Sequence, residues 1–187
     1  MSPHAESHAT PTPSDWIVRF AHLVPPGGTV LDLAAGAGRH ARFFAGRGHP
    51  VVALDRTIDR LSDLAGGPGI EIVEADLEDG APWPLGGRAF DCVVVVNYLY
   101  RPLLPILVER VAPGGVLLYR TFAAGNEAHG RPRNPNFLLE AGELLQAVAG
   151  RLTVVAYEHG LVERPGPAVV QRICARRDAA PAALLAG

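Results

Sequence analysis

The sequence predicts a doubly wound α/β fold: a mostly parallel sheet with helices on both faces and one antiparallel strand near the C-terminus. Three observations carry this. Short apolar segments alternate with amphipathic ones along most of the chain, the pattern of repeated strand–helix–strand units. Val93, Val94, Val95 and Val96 form an unbroken β-branched run, which fits a central strand buried on both faces. The last two apolar segments follow one another without a helix between them, and strands joined by a short turn pair antiparallel.

At 187 residues the chain has the size of one domain. Residues 1–13, rich in Ser, Thr, Pro and His, are expected to form a disordered leader. Residues 14–177 form the domain, and 178–187 a small-residue tail. Ser14 and Asp15 offer N-cap chemistry to a helix whose apolar positions Trp16, Ile17, Phe20 and Leu23 recur at helical spacing, before Pro25 and Pro26 stop it. A strand over 29–34 runs into a glycine turn and a helix over 39–47. A strand over 51–54, a helix over 58–64 and a strand over 70–74 follow. The valine strand spans 90–98 and is followed by a helix over 103–111. Pro113, Gly114 and Gly115 then turn into a strand over 116–122. A polar loop over 123–136 leads to a helix over 138–149, and strands over 152–158 and 168–176 close the fold.

Composition excludes several chemistries. All 17 basic residues are Arg and none is Lys. A P-loop nucleotidase needs a lysine on its phosphates, and Schiff-base enzymes need one as nucleophile; a permanently protonated guanidinium replaces neither. The net charge of −2 gives no general attraction to polyphosphate, which disfavours nucleic acid as a partner. Cys92 and Cys174 sit in apolar runs without metal-like spacing and read as buried thiols of a reducing compartment. His4 and His8 have no metal-site spacing either, so no metal site is expected. Residues 1–13 lack the features of a signal peptide, and no run reaches membrane-spanning length, so a cytoplasmic location is expected.

The segment Val30-Leu31-Asp32-Leu33-Ala34-Ala35-Gly36-Ala37-Gly38 carries the chemistry. A strand enters a glycine turn that opens a helix, which lets backbone approach a ligand at the helix N-terminus. Gly36 to Ala41 fits G-x-G-x-x-[GA], a pattern that also serves dinucleotides. Asp55 ends the second strand, 19 residues after Gly36, where a carboxylate accepts both ribose hydroxyls. Asp76 follows the third strand, near where an adenine amine would lie. Asp32 precedes the turn; like charges make it a poor neighbour for pyrophosphate but a good one for a ligand carrying an ammonium group.

With these acids in place, the chain resembles the class I S-adenosylmethionine-dependent methyltransferases, over roughly residues 14–176 and with the Rossmann-like fold of that family. Asp32 to Gly38 resembles its first motif, with Ala34 where a glycine is common. Asp55 resembles the ribose-binding acid, with Arg56 beside it. Asp76 and Leu77 are similar to the adenine-contacting segment. Asn97 falls at the strand end that faces the methyl group, and Pro113-Gly114-Gly115 resembles the turn into the fifth strand. Arg39-His40 and residues 137–144 are similar to the tellurite-resistance methyltransferase branch. The resemblance implies methyl transfer from S-adenosylmethionine to a small-molecule acceptor, a thiol, oxyanion, phenol or amine.

Acceptor and catalytic groups are expected at the C-terminal ends of strands. Tyr98, Tyr100 and His129 are the catalytic candidates, and Tyr98, Arg101, Arg120, Arg131 and Arg133 the acceptor-binding ones. Cys92 opens the buried strand and is poorly placed as a nucleophile. The strand end reads Asn97-Tyr98-Leu99-Tyr100, unlike nucleic-acid amino methylases. The alternatives are an NAD(P)-dependent oxidoreductase, which the glycine turn and Asp55 also fit, and a catalytically silent cofactor-binding module.

Overall fold

The alternation of side chains along each strand divides the interior in two. In the computed structural model, which describes residues 12–178, Val93 and Val95 of one strand join one apolar cluster while Val94 and Val96 join another. That strand, β4 (Phe90–Val96), is flanked by β1 (Val30–Leu33) and β5 (Val111–Phe122). With β2 (Val51–Asp55), β3 (Ile70–Glu74), β6 (Thr153–Val162) and β7 (Ala168–Arg176) they form one seven-stranded sheet in the order β3-β2-β1-β4-β5-β7-β6.

Helices α1 (Asp15–Phe20) and α2 (Arg39–Ala45) cover one face through Trp16, Ile17, Phe20, Ala41 and Phe44. Helices α3 (Leu104–Glu109) and α4 (Glu143–Val148) cover the other through Leu107, Val108, Leu144 and Val148. Strands β1 to β5 pair in parallel. Strand β7 is antiparallel to both β5 and β6, so β6 runs parallel to β5. The β6–β7 turn therefore lies at the C-terminal edge of the sheet, where open α/β folds bind ligands. Chain order reverses between β1 and β4, and the crevice opens there. No helix of the described residues is long and apolar enough to cross a membrane.

Several elements depart from expectation. The segment over 58–64 is a 3-10 helix, Asp59–Leu64. Pro113, Gly114 and Gly115 lie inside β5 as a bulge, since Phe90 pairs with Val111 but Cys92 with Val116. The last predicted helix shortens to α4, because Leu138 and Leu139 are drawn to the sheet: the Leu139 amide bonds Phe122 O at 3.0 Å and Leu139 O accepts from Ala124 at 2.9 Å. Ser14 gives no side-chain cap to α1; its backbone amide instead donates to His40 Nε2 at 3.2 Å. The expected polar loop holds two short 3-10 turns, Asn126–Ala128 and Pro135–Phe137. The leader up to residue 11 and the tail from 179 lie outside the described residues.

Candidate active site

The two strands that border the crevice end in residues with left-handed backbone. Ala34 follows β1 with φ 53° and Asn97 follows β4 with φ 60°, costly conformations for residues with a Cβ. The turn beyond Ala34 is held from three sides. Gly38 N donates to Ala35 O at 2.8 Å, Ala35 N donates to Leu54 O at 3.1 Å, and Gly36 N donates to Asp55 Oδ2 at 2.7 Å.

The two glycines of the turn serve different ends. Gly36 has φ +57°, and a Cβ built there meets no atom within 4 Å. Gly38 has φ +71°, and its Cβ would stand 2.6 Å from Leu61 Cδ2 and 2.9 Å from Leu64 Cδ1. Gly36 thus leaves a space open above the turn, whereas Gly38 lets α2 pack on its neighbours.

Beneath the turn, Asp32 is 1% exposed. Its Oδ2 accepts the Ala41 amide of α2 at 2.9 Å, and its Oδ1 lies 3.7 Å from His40 Nδ1. Asp32 therefore holds the first turn of α2 and does not line the crevice. Arg39, on the same turn, is half-buried; burial lowers its pKa and Asp32 acts against that shift.

Three neighbouring cavities lie along the C-terminal edge. The first, about 360 Å³, is lined by Ala34, Asp55, Arg56, Asp76, Leu77 and Tyr98, among others. The second, about 220 Å³, shares Glu78, Tyr98 and Phe137 with the first and reaches Asn97 and Thr121. The third, about 400 Å³, begins at Asn97 and contains Arg39, Arg120, Arg131, Arg164 and Arg172. Asp55 and Asp76 each accept a local backbone amide, from Thr57 at 3.1 Å and Glu78 at 2.9 Å, which fixes their carboxylates on the first cavity's wall.

The acceptor and catalytic candidates separate spatially. Tyr98 borders the first two cavities, and burial, followed by the charge of Glu78, raises its phenol pKa. Tyr98 is thus a neutral donor. Tyr100 packs against the apolar cluster under α3. His129 and Arg133 are exposed and line none of the three cavities. Arg101 grips Glu143 with Nε at 2.7 Å and Nη2 at 2.9 Å, and donates to the carbonyls of Asn136 and Leu138. It is a strut under Phe137. Arg120 donates to Asn97 Oδ1 at 2.7 Å and, with Arg131, faces the third cavity.

Arg164 is not among the residues the sequence singles out, and Phe137 is there only as the first residue of the 137–144 segment. Arg164 sits in the β6–β7 turn, and its place at the site follows only once β6 is known to run parallel to β5. Phe137 is 45% exposed yet borders two cavities, a position set by the Arg101 strut.

No family model and no curated protein matches the chain. Solved structures do. TehB from Haemophilus influenzae superposes with a TM-score of 0.69 at 19% identity, over 86% of this chain and 61% of that one, so the chain spans about three fifths of that protein's length. The 1,6-didemethyltoxoflavin-N1-methyltransferase of Burkholderia thailandensis, solved with 1,6-didemethyltoxoflavin and S-adenosylhomocysteine, gives 0.65 at 21% identity over 88% of this chain and 76% of that one. The N-methyltransferase NodS of Bradyrhizobium japonicum gives 0.65 at 17% identity, over 87% and 94%. The shared architecture is the Rossmann-like fold of S-adenosylmethionine-dependent methyltransferases.

Proposed function

We propose that the chain is an S-adenosylmethionine-dependent methyltransferase acting on a small-molecule acceptor. The observation that carries this reading is a single cavity with Asp55 and Asp76 on its wall, beside a glycine turn whose Gly36 leaves side-chain space open. At about 360 Å³ it falls in the range of small-ligand pockets. Asp55 would accept the ribose hydroxyls, Asp76 and Leu77 would meet the adenine, and Arg56 would border the nucleoside. Ala34, Gly36 and Gly38 form the turn along which the amino-acid arm would lie, with Asn97 at its far end. Arg39 lines a cavity together with Asn97 and suits a carboxylate.

When bound, the cofactor supplies an electrophilic methyl group, so the chain needs no nucleophile of its own. The residues bind, orient and exclude water. Asp32 acts at a distance, holding α2 and hence the turn through Ala41. Tyr98 and Phe137 wall off the cleft, and the Tyr98 hydroxyl keeps its proton, which it shares with Glu78. With His129 turned outward, an acceptor that is already ionised, or that loses its proton readily, suits the site best.

The test is a screen of thiols, oxyanions, phenols and amines that monitors S-adenosylhomocysteine release. Turnover with one class supports the reading. Tight cofactor binding without turnover of any class returns the chain to a silent binding module.

A further inference from the structure

We propose that the third cavity is the acceptor site and that it selects a small organic anion carrying a carboxylate or phosphate; this rests on the methyltransferase reading above. The cavity adjoins the second at Asn97, so a molecule seated in it presents one end to the tip of β4. Its walls combine arginines with an apolar side built from Phe122, Val162 and Ala168. That pairing fits an anion attached to a hydrocarbon or aromatic body.

The charges facing it are Arg39, Arg120, Arg131, Arg164 and Arg172, with Asp15 as the one carboxylate among the described lining residues. Arg172 is engaged by Glu158, which Arg19 also contacts at 3.1 Å. Arg39 lies in the field of the buried Asp32. Arg120, Arg131 and Arg164 form no ion pair among the described residues, and Asp15 is the one carboxylate that lines the cavity with them. Arg120 is the innermost of them. Burial lowers its pKa first, then repulsion from Arg172 and Arg39, and Asp15 opposes the shift. Guanidinium groups stay protonated under such strain, so their mutual repulsion is relieved by binding an anion. Arg131 and Arg164 come from different loops, the 123–136 segment and the β6–β7 turn, and both line the cavity. Two guanidinium-bearing side chains lining one pocket suit the planar oxygens of a carboxylate or the oxygens of a phosphate.

The test compares matched probes by calorimetry on the full chain with S-adenosylhomocysteine present. The pairs are 4-hydroxybenzoate against 4-hydroxybenzamide and 3-mercaptopropanoate against 3-mercaptopropanamide, with phenyl phosphate as the phosphate arm. At least one anion is expected to bind roughly tenfold or more tightly than its neutral counterpart, phenol serving for the phosphate. The Arg131→Gln/Arg164→Gln double variant, altered at exposed positions that leave folding intact, should lose most of that preference while keeping its S-adenosylhomocysteine affinity. Arg120→Gln should lose it further. Equal binding of charged and neutral probes, no binding of any anion, or a preference that survives the double variant overturns the proposal. Failure of the wild-type chain to bind S-adenosylhomocysteine removes the methyltransferase reading itself, and this inference with it.

Discussion

Asp55 Oδ2 accepts the Gly36 amide at 2.7 Å, joining the tip of β2 to the glycine turn after β1. The carboxylate proposed for the cofactor's ribose therefore also shapes the turn proposed for its amino-acid arm. Asp55→Ala removes both contributions and is expected to weaken S-adenosylhomocysteine binding by roughly 1–3 kcal/mol. Asp55→Asn keeps an oxygen for Gly36 and should fall between the two. Titration calorimetry reads the order; an Ala variant with wild-type affinity would falsify the role of Asp55.

The glycines of the turn make a matched pair. Both have positive φ, so an alanine at either costs about 1 kcal/mol in backbone strain. Gly38→Ala adds the collision with Leu61 and Leu64 and should lose roughly a further 1–3 kcal/mol of stability. Gly36→Ala meets no protein atom, so its larger effect should fall on cofactor binding. Urea denaturation and calorimetry on the two variants separate these outcomes; equal stability losses would argue against the assignment.

How far the sequence revealed this arrangement depended on the range of each contact. Asp55 and Asp76 were legible because Asp55 ends β2 and Asp76 follows β3 by two residues, and strand ends converge in a doubly wound sheet. Arg101 was not: its partner Glu143 lies 42 residues away, and nothing local distinguishes a strut from an acceptor-binding arginine. The helix expected over 138–149 shows the same limit. Its helical pattern is real, but pairing of Leu139 with the end of β5 outweighs a propensity worth only tenths of a kcal/mol per residue.

The Arg101–Glu143 pair holds the Asn136–Leu138 backbone, and with it Phe137. Arg101→Leu should cost about 1–2 kcal/mol, since the pair is partly solvent-screened. It should also speed amide exchange across 136–138. Hydrogen–deuterium exchange on the cofactor-free chain checks this, and unchanged protection at those amides would show that Phe137 is held by other means.

The two thiols set an alkaline limit on stability. Burial pushes Cys174 up to about 12 and raises Cys92 well above its ordinary range. A raised acid pKa means that the folded state holds protons the unfolded state releases. The stabilisation is complete below about pH 8.5, the unfolded thiol value, and is lost as pH rises toward 12. Each thiol should contribute a slope of up to about 1.4 kcal/mol per pH unit in that window. Cys174→Ala in a urea-denaturation series from pH 8 to 11 should flatten the fall, although it leaves a cavity. Reaction of either thiol with a disulfide reagent in the native chain at pH 8 would contradict the burial argument.

The cavity lined by Asp55 and Asp76 is proposed to bind S-adenosylmethionine and not a dinucleotide. Calorimetric titration of the full chain with S-adenosylhomocysteine and, separately, with NADH tests it most directly. Saturable binding of S-adenosylhomocysteine that Asp55→Ala weakens is expected, with no heat from NADH. Saturable binding of NADH, or none of S-adenosylhomocysteine, would contradict it.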